Sequence, residues 1–140
     1  MALVFKCRRI VGGSGFGLSL VTRQPINFLT MIDPETGVFH DVEHELHSRS
    51  LRSRVLVFPK AIGSSVGAYA LYSLKTNGVA PAAIICTNTI DIITASACAI
   101  SGIPAVDMKD QPFGSLSALR QGTWVQVDAD NCRIELIKKY

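Results

Sequence analysis

The chain has 140 residues, of which 48% are hydrophobic and 18% are charged, and its formal net charge is +3. This length suits one domain with a sizeable core, and this composition argues against a disordered chain. So small a charge, spread over short separate groups, gives no indication of nucleic-acid binding. No apolar run reaches the roughly 18 residues of a membrane span, and the N-terminus lacks a signal-peptide layout. We therefore expect a soluble cytoplasmic protein with a single domain over residues 1–140.

The N-terminal third is predicted to be mainly strands and turns. Residues 2–11 place short apolar runs around basic residues and predict a first strand. Residues 12–17 superficially resemble a dinucleotide-binding loop, but that loop must open a helix on its last glycine. Here residues 18–22 alternate as a strand does, so we reject the cofactor site and expect the glycines to allow a bulge or close backbone approach. A short strand is predicted over residues 27–32, and residues 33–37 predict a turn.

All three histidines, His40, His44 and His47, lie in or just before an acidic stretch. Zinc sites use histidine and glutamate, but neither an HExxH spacing nor a cysteine pair is present. We therefore interpret this stretch as a polar loop that leads to the apolar run 55–58.

The middle of the chain predicts a strand, a tight loop, a helix and a second strand. The apolar run 55–58 is followed by a helical pattern over residues 65–74, and residues 77–78 end it. Residues 82–86 are wholly apolar, as in a buried strand, and the unit has the spacing of a right-handed βαβ crossover. Gly67 inside this helix costs about 1 kcal/mol relative to alanine, which indicates close packing or close approach there.

Gly63, Ser64 and Ser65 lie between this strand and this helix. A helix N-terminus leaves backbone N–H groups unpaired, so the two hydroxyls mark a candidate anion or substrate site. From the residues alone, an ordinary N-cap worth about 1 kcal/mol is the favoured explanation of Ser64.

The rest of the chain alternates between short helices and strands. We predict a helix over residues 92–100 with Asp91 in its first turn, a strand at 105–106, an exposed loop over 107–114, a helical turn over 115–120, and a hairpin formed by 123–128 and 132–137. The sum is a mixed α/β fold, a compact barrel or sandwich with helices packed on it.

Four cysteines, Cys7, Cys86, Cys98 and Cys132, are widely spaced and form no CxxC pair. This spacing fits neither a disulfide-stapled domain nor a metal or iron–sulfur site made by this chain alone. Most of them have apolar neighbours, so we expect buried free thiols.

Six short segments occur in a fixed order, at residues 27–28, 33–37, 54–59, 63–69, 77–85 and 103–107. Together they resemble the small subunit of the aconitase X group of dehydratases, over nearly the whole chain. Members of the group often have Gly-Ser-Thr where this chain has Gly63, Ser64 and Ser65. Ser64 is therefore the match to the shared serine.

The resemblance implies a swivelling β/β/α fold, a partly closed β-barrel with packed helices. It also implies a heterodimer in which a large subunit holds an iron–sulfur cluster, of the 4Fe–4S type, and most of the substrate pocket. The implied reaction is that of the archaeal type, dehydration of (R)-5-phosphomevalonate to trans-anhydromevalonate 5-phosphate in isoprenoid biosynthesis.

The same resemblance implies that Ser64 is the general base, that Gly63 and Ser65 lie beside the substrate, and that no metal binds to this chain. An unperturbed hydroxyl is a weak base, so the site must stabilise an alkoxide, for which a helix N-terminus is suited. Two alternatives stay open. One is another dehydratase of the group, such as one acting on cis-3-hydroxyproline. The other is a non-catalytic swivelling scaffold that carries a phosphohistidine, which would require an exposed histidine in a Gly/Thr-rich loop.

Overall fold

A computed structural model describes residues 2–111 and 119–137, which form an eight-stranded sheet with three helices packed on it. The strands are β1 (Ala2–Lys6), β2 (Arg8–Val11), β3 (Ser14–Val21), β4 (Val55–Phe58), β5 (Ala83–Cys86), β6 (Ala105–Asp107), β7 (Trp124–Asp128) and β8 (Arg133–Ile137). The helices are α1 (Phe28–Met31), α2 (Gly67–Thr76) and α3 (Ile92–Ser101). The predicted mixed α/β class is confirmed. None of these helices is long and apolar enough to cross a membrane.

The two edges of the sheet meet at Cys7. The strand order is β1-β8-β7-β3-β4-β5-β6-β2, so the edge strands β1 and β2 are consecutive in the chain. β1 pairs with β8 and β2 pairs with β6, both antiparallel. The single strand predicted over residues 2–11 is therefore wrong, because its two halves pair with opposite edges. The result is the partly closed barrel that was expected.

Four neighbouring strands, β3 to β6, run parallel to one another. β4, α2 and β5 form the predicted βαβ crossover, and β5, α3 and β6 form a second one. The carboxyl ends of these strands lie at one side of the sheet, where parallel α/β sheets bind their ligands. We call the segments that follow them, residues 22–25, 59–66, 87–91 and 108–111, the carboxyl edge.

The core has two layers, and β4 contributes to both. All four of its residues are buried, and successive side chains point to opposite faces of the sheet. Val55 and Val57 face the barrel interior, which also holds Val125. Leu56 and Phe58 instead belong to the cluster that includes α2 and α3 side chains. Burying each such side chain contributes about 1.5–3 kcal/mol.

The glycines of β3 allow the close backbone approach that the sequence predicted. A Cβ built at Gly15 would collide with the carbonyl oxygen of Ala82, and one built at Gly17 would collide with that of Ser53. Both glycines lie within β3 and not at the helix opening that a dinucleotide-binding loop requires.

The strand predicted over residues 27–32 is wrong, because Asn27 caps the short helix α1. Its side-chain oxygen accepts hydrogen bonds from the N–H groups of Leu29 (3.1 Å) and Thr30 (3.2 Å). Asparagine is among the strongest N-cap residues, and here this preference outweighs the β-branched and aromatic composition of the segment. Ile32, which ends the helix, is extended and forms an isolated bridge with Phe39.

The two longer helices differ slightly from their predicted ranges. α2 begins two residues later than expected, so Gly67 is its first residue and not an internal one. No atom lies within 4 Å of a Cβ built at Gly67, so the expected close packing is not found among the described residues. Asp91 is the N-cap of α3 rather than part of its first turn.

The C-terminal predictions are confirmed in part. β7 and β8 form the predicted antiparallel hairpin. Residues 115–118 of the predicted helical turn lie outside the described residues, and residues 119–120 are not helical. The loop predicted over residues 107–114 is wrong at its start, because Asp107 is the last residue of β6 and is fully buried. Residues 112–114 of that loop also lie outside the description.

Candidate functional site

A small cleft opens at the carboxyl edge, between the N-termini of α2 and α3. Its lining comes from the loop after β4 and from all three helices: Phe28, Ala61, Ile62, Gly63, Ser64, Gly67, Ala68, Leu71, Asp91, Ile93 and Thr94. Its volume is about 40 Å³, which is room for a few water molecules at about 10–15 Å³ each. Pockets that enclose small organic ligands are about 300–1,000 Å³, so this cleft is by itself too small to enclose one.

Ser64 lies in the cleft wall and caps the turn that leads into α2. Its Oγ accepts a hydrogen bond of 3.3 Å from the N–H of Val66, and its carbonyl accepts one of 3.0 Å from the N–H of Gly67. The N-cap role expected for Ser64 from the residues alone is wrong, because the N-cap residue of α2 is Val66, whose side chain makes no capping hydrogen bond. The Ser64 hydroxyl instead closes a local turn that precedes the helix. The Oγ contact is long for a hydrogen bond, and the side chain stays exposed.

Gly63 also lines the cleft, and the conformation of the loop depends on it. Its φ is +108°, a region that side chains other than glycine rarely enter. A Cβ there would lie 2.7 Å from Nδ2 of Asn27, the residue that caps α1. Ser65 is exposed and does not line the cleft; its carbonyl accepts a hydrogen bond from Ala68. The structure thus brings two of the three predicted residues into the cleft.

The loop after β4 is held by neighbouring backbone on one side. The N–H of Ile26 donates to the carbonyl of Lys60 (3.1 Å), and the N–H of Ile62 donates back to the carbonyl of Ile26 (2.9 Å). These paired bonds fix the loop just before Gly63, so Ser64 follows an anchored segment.

On its other side the loop is held by the segment that follows β5. The carbonyl of Pro59 accepts hydrogen bonds from Sγ of Cys86 (3.2 Å) and Nδ2 of Asn88 (3.4 Å). Burial raises the pKa of the Cys86 thiol to about 11, so it keeps the proton that it donates. The segments after β4 and β5 are therefore coupled directly.

Backbone N–H groups contribute partial positive charge beside Ser64. Among the described residues, the N–H groups of Gly63, Ser64 and Ser65 donate no hydrogen bond. They precede the N-terminus of α2, where the helix dipole also favours negative charge. The arrangement suits an anionic ligand, or a negative charge that develops on Ser64.

Asp91 is a cleft residue that the sequence did not identify as part of the site. One carboxylate oxygen accepts a hydrogen bond of 2.9 Å from the N–H of Thr94, which also lines the cleft. An aspartate immediately before an apolar helical segment is an N-cap signal, and that signal could have placed Asp91 at the mouth of the cleft.

The described cysteines do not form a metal or cluster site. Within residues 2–111 and 119–137, no three His, Cys, Asp or Glu side chains are grouped so that they could hold a metal ion. Cys7, Cys86 and Cys98 are buried free thiols, as predicted for most of the four, and Cys132 is exposed. Burial raises the pKa of Cys7 and of Cys98 to about 12, which disfavours the thiolates that a cluster needs. These side chains do not fit an iron–sulfur cluster.

His44 is a structural histidine inside the predicted polar loop. Its Nδ1 accepts a hydrogen bond from the N–H of Leu46 (3.1 Å), so its Nε2 carries a proton and donates to the carbonyl of Pro25 (3.1 Å). The ring stacks on Phe39 and is only 5% exposed. Such a histidine does not offer the exposed nitrogen that a phosphohistidine scaffold requires.

Comparison with known proteins gives consistent matches over almost the entire chain. A family model described as the aconitase X swivel domain matches residues 4–136. The phosphomevalonate dehydratase small subunit of Methanosarcina acetivorans is 45% identical over 134 residues, which cover 95% of this chain and 90% of that protein. The protein of the same name from Thermococcus kodakarensis is 42% identical over 133 residues, covering 95% and 96%. The crystal structure of Thermococcus kodakaraensis aconitase X in its holo-form matches with a TM-score of 0.88 at 41% identity, over 97% of this chain and 99% of that one.

Proposed function

Because the chain belongs to the aconitase X swivel-domain family, we propose that it is the small subunit of a phosphomevalonate dehydratase. In this proposal it acts as a heterodimer with the phosphomevalonate dehydratase large subunit. The reaction is the removal of water from (R)-5-phosphomevalonate to give trans-anhydromevalonate 5-phosphate. The names of two relatives at 45% and 42% identity support this choice of substrate.

The size and position of the cleft carry the proposal. Ser64 lies at the carboxyl edge of a parallel sheet, where α/β proteins bind ligands, yet the cleft beside it holds only about 40 Å³. A phosphorylated hydroxy acid needs several times that space. In the proposal, the surface of the large subunit closes over Ser64 and completes the pocket.

We assign Ser64 the role of general base. As an alkoxide, its Oγ takes the proton from the carbon next to the substrate carboxylate and becomes a hydroxyl. The electron pair left on that carbon forms the new double bond as the hydroxyl group on the neighbouring carbon leaves as hydroxide. The proton taken up by Ser64 balances that hydroxide when the alkoxide is restored, so the products are the alkene and one molecule of water. A positioned base of this kind contributes about 10²–10⁴-fold to the rate.

The surroundings of Ser64 support an alkoxide. The N–H of Val66 already donates to Oγ at 3.3 Å, and such a bond shortens and strengthens when its acceptor becomes charged. The dipole of α2 acts in the same direction. In the proposal the free N–H groups of Gly63 and Ser65 lie beside the substrate and bind one of its anionic groups.

The described side chains of this chain do not fit an iron–sulfur cluster, so in the proposal the large subunit holds it, as a 4Fe–4S cluster. An iron with an open coordination position would supply a Lewis acid for the departing hydroxyl. No step assigned to this chain depends on that iron.

The proposal is tested by combining this chain with the large subunit and assaying two substrates in parallel. We expect turnover of (R)-5-phosphomevalonate, none of cis-3-hydroxyproline, and neither activity nor colour for the isolated chain. Turnover of cis-3-hydroxyproline without turnover of phosphomevalonate would assign the chain to a different dehydratase. Stoichiometric iron on the isolated chain would contradict the division of roles.

A further inference from the structure

Asp107 carries a carboxylate that is fully buried and has no role in the reaction described so far. Its two oxygens accept a bidentate pair of hydrogen bonds from Arg8, at 2.9 Å from Nε and 2.6 Å from Nη2. The carboxylate is 0% exposed, while the Arg8 side chain is 36% exposed. Arg8 opens β2 and Asp107 ends β6, so the pair joins the edge strand of the sheet to the carboxyl edge.

The same carboxylate also binds two backbone segments of the carboxyl edge. Oδ2 accepts a hydrogen bond from the N–H of Ile90 (2.9 Å), and Oδ1 accepts one from the N–H of Lys109 (3.3 Å). Burial opposes ionisation of the group, but these hydrogen bonds and those from Arg8 outweigh it and hold the pKa of Asp107 below its ordinary value. Each oxygen thus holds one guanidinium donor and one amide donor.

Ile90 links this carboxylate to the cleft. The next residue, Asp91, lines the cleft and caps α3, and Ile93 and Thr94 line it as well. Two residues before Ile90, Asn88 donates to the carbonyl of Pro59 at the start of the Ser64 loop. The segment 87–91 is therefore held by Asp107 at one point and contacts the Ser64 loop at another.

We propose that Asp107, oriented by Arg8, is a positioning residue that holds segment 87–91 so that Asp91 and the N-terminus of α3 face Ser64 across the cleft. This inference rests on the proposed function, because it concerns the geometry of the same reaction. Asp107 acts through the backbone of Ile90 and does not contact the substrate. Small displacements of the groups that surround a reacting centre lower turnover more than they weaken substrate binding.

The variant Asp107→Asn tests the proposal in the complex with the large subunit. It preserves the shape of the side chain but removes its charge and replaces one acceptor by a donor. The matched control is Ile134→Val, a conservative change inside the barrel. Ile134 pairs with Val127 of β7, and Val127 pairs with Gly15 of β3. Ile134 is therefore level with Gly15, about 20 Å along the sheet from the end of β3 at the carboxyl edge.

Three quantities are measured well below the unfolding temperatures: kcat, KM and the hydrogen-exchange rate of the Ile90 amide. For Asp107→Asn we expect kcat per intact complex to fall at least tenfold, KM to stay within about threefold, and the Ile90 amide to exchange at least tenfold faster. For Ile134→Val we expect an unchanged kcat even though its unfolding temperature falls. A kcat within twofold of the wild type for Asp107→Asn, or an equal loss in the control, would overturn the proposal.

A second variant and the exchange readout keep the test decisive if Asp107→Asn folds poorly or if the substrate is different. Arg8→Lys keeps the charge at a partly exposed site but loses the bidentate contact, and we expect about a threefold loss of kcat with a normal yield of complex. An unchanged kcat in that variant counts against the proposal. If the wild-type complex does not dehydrate phosphomevalonate, the proposed function fails, whereas unchanged exchange at Ile90 in either variant refutes the positioning role whatever the substrate is.

Discussion

Replacing Gly63 with alanine would perturb the Ser64 loop at the point where it is most constrained. The φ of +108° lies outside the left-handed region that other residues occupy with modest strain. The new Cβ would lie 2.7 Å from Nδ2 and 3.0 Å from Cγ of Asn27. Asn27 cannot move away without loss, since its Oδ1 caps α1 through Leu29 and Thr30.

The expected magnitude is the sum of two costs. Holding a non-glycine residue in a sparsely populated backbone region costs of order 1–3 kcal/mol. Displacing the Asn27 cap costs about 1 kcal/mol more. At about 3 °C per kcal/mol for a chain of this size, Gly63→Ala should lower the unfolding temperature by roughly 6–12 °C. Gly78→Ala is the matched control, because its φ is +72° and no atom lies within 4 Å of the added Cβ. It should lose about 1–2 kcal/mol, or roughly 3–6 °C.

Calorimetry of Gly63→Ala, Asn27→Ala and the double variant separates the contact from the backbone strain. If the contact matters, the double variant is about 1 kcal/mol more stable than the sum of the single losses predicts. In the complex, Gly63→Ala should also lower turnover, because Ser64 is the next residue. A loss for Gly63→Ala no larger than that for Gly78→Ala, together with additive behaviour, would refute this account of the loop.

Three further predictions concern the cleft, the buried carboxylate and the thiols. Gly67→Ala should leave the unfolding temperature unchanged or slightly raised, because the added Cβ meets open space and alanine favours helix by up to about 1 kcal/mol. The same variant should lower kcat of the complex at least tenfold, because the methyl group fills part of the cleft. Normal turnover would contradict this. The pKa of Asp107 in the folded protein lies below its ordinary value of 3.8. The ionised carboxylate therefore stabilises the fold fully above pH 3.8, and this stabilisation is lost as the pH falls through the pKa of the folded protein. The difference in unfolding temperature between wild type and Asp107→Asn should therefore be constant above about pH 5 and shrink below about pH 4; a difference that widens in acid would be incompatible with this. In the native protein a thiol reagent should modify Cys132 quickly and the three buried cysteines only after unfolding, and more than one fast thiol per chain would disagree with the burial.

The elements that the sequence predicted correctly are those with strong local signals. The βαβ unit follows from an apolar run, a helical spacing and the Asn77-Gly78 stop, and the hairpin from two alternating segments around a turn. α1 was missed because it has only four helical residues, and its one clear signal is the N-cap residue Asn27. The closure of the barrel at Cys7 depends on which distant edge each half of residues 2–11 pairs with, and no local pattern contains that information.

The same distinction applies to the site. Gly63 and Ser64 lie in the loop just before α2, where the local pattern predicts a helix to begin, and the family resemblance singled out the serine. Asp107 was predicted to begin an exposed loop because a lone aspartate after a short strand normally does. Its partner Arg8 is 99 residues away in the chain, so only the folded structure shows that the carboxylate is buried and paired. The small volume of the cleft likewise depends on how three separate helices meet.

The proposed catalytic role of Ser64 is tested most directly by the turnover of Ser64→Ala in the purified complex with the large subunit, with Ser65→Ala as the neighbouring control. We expect Ser64→Ala to form the complex normally and to lose about 10²–10⁴-fold in kcat. Ser65→Ala, whose side chain lies outside the cleft, should lose no more than a few-fold. Near-normal turnover by Ser64→Ala would remove this serine from the mechanism.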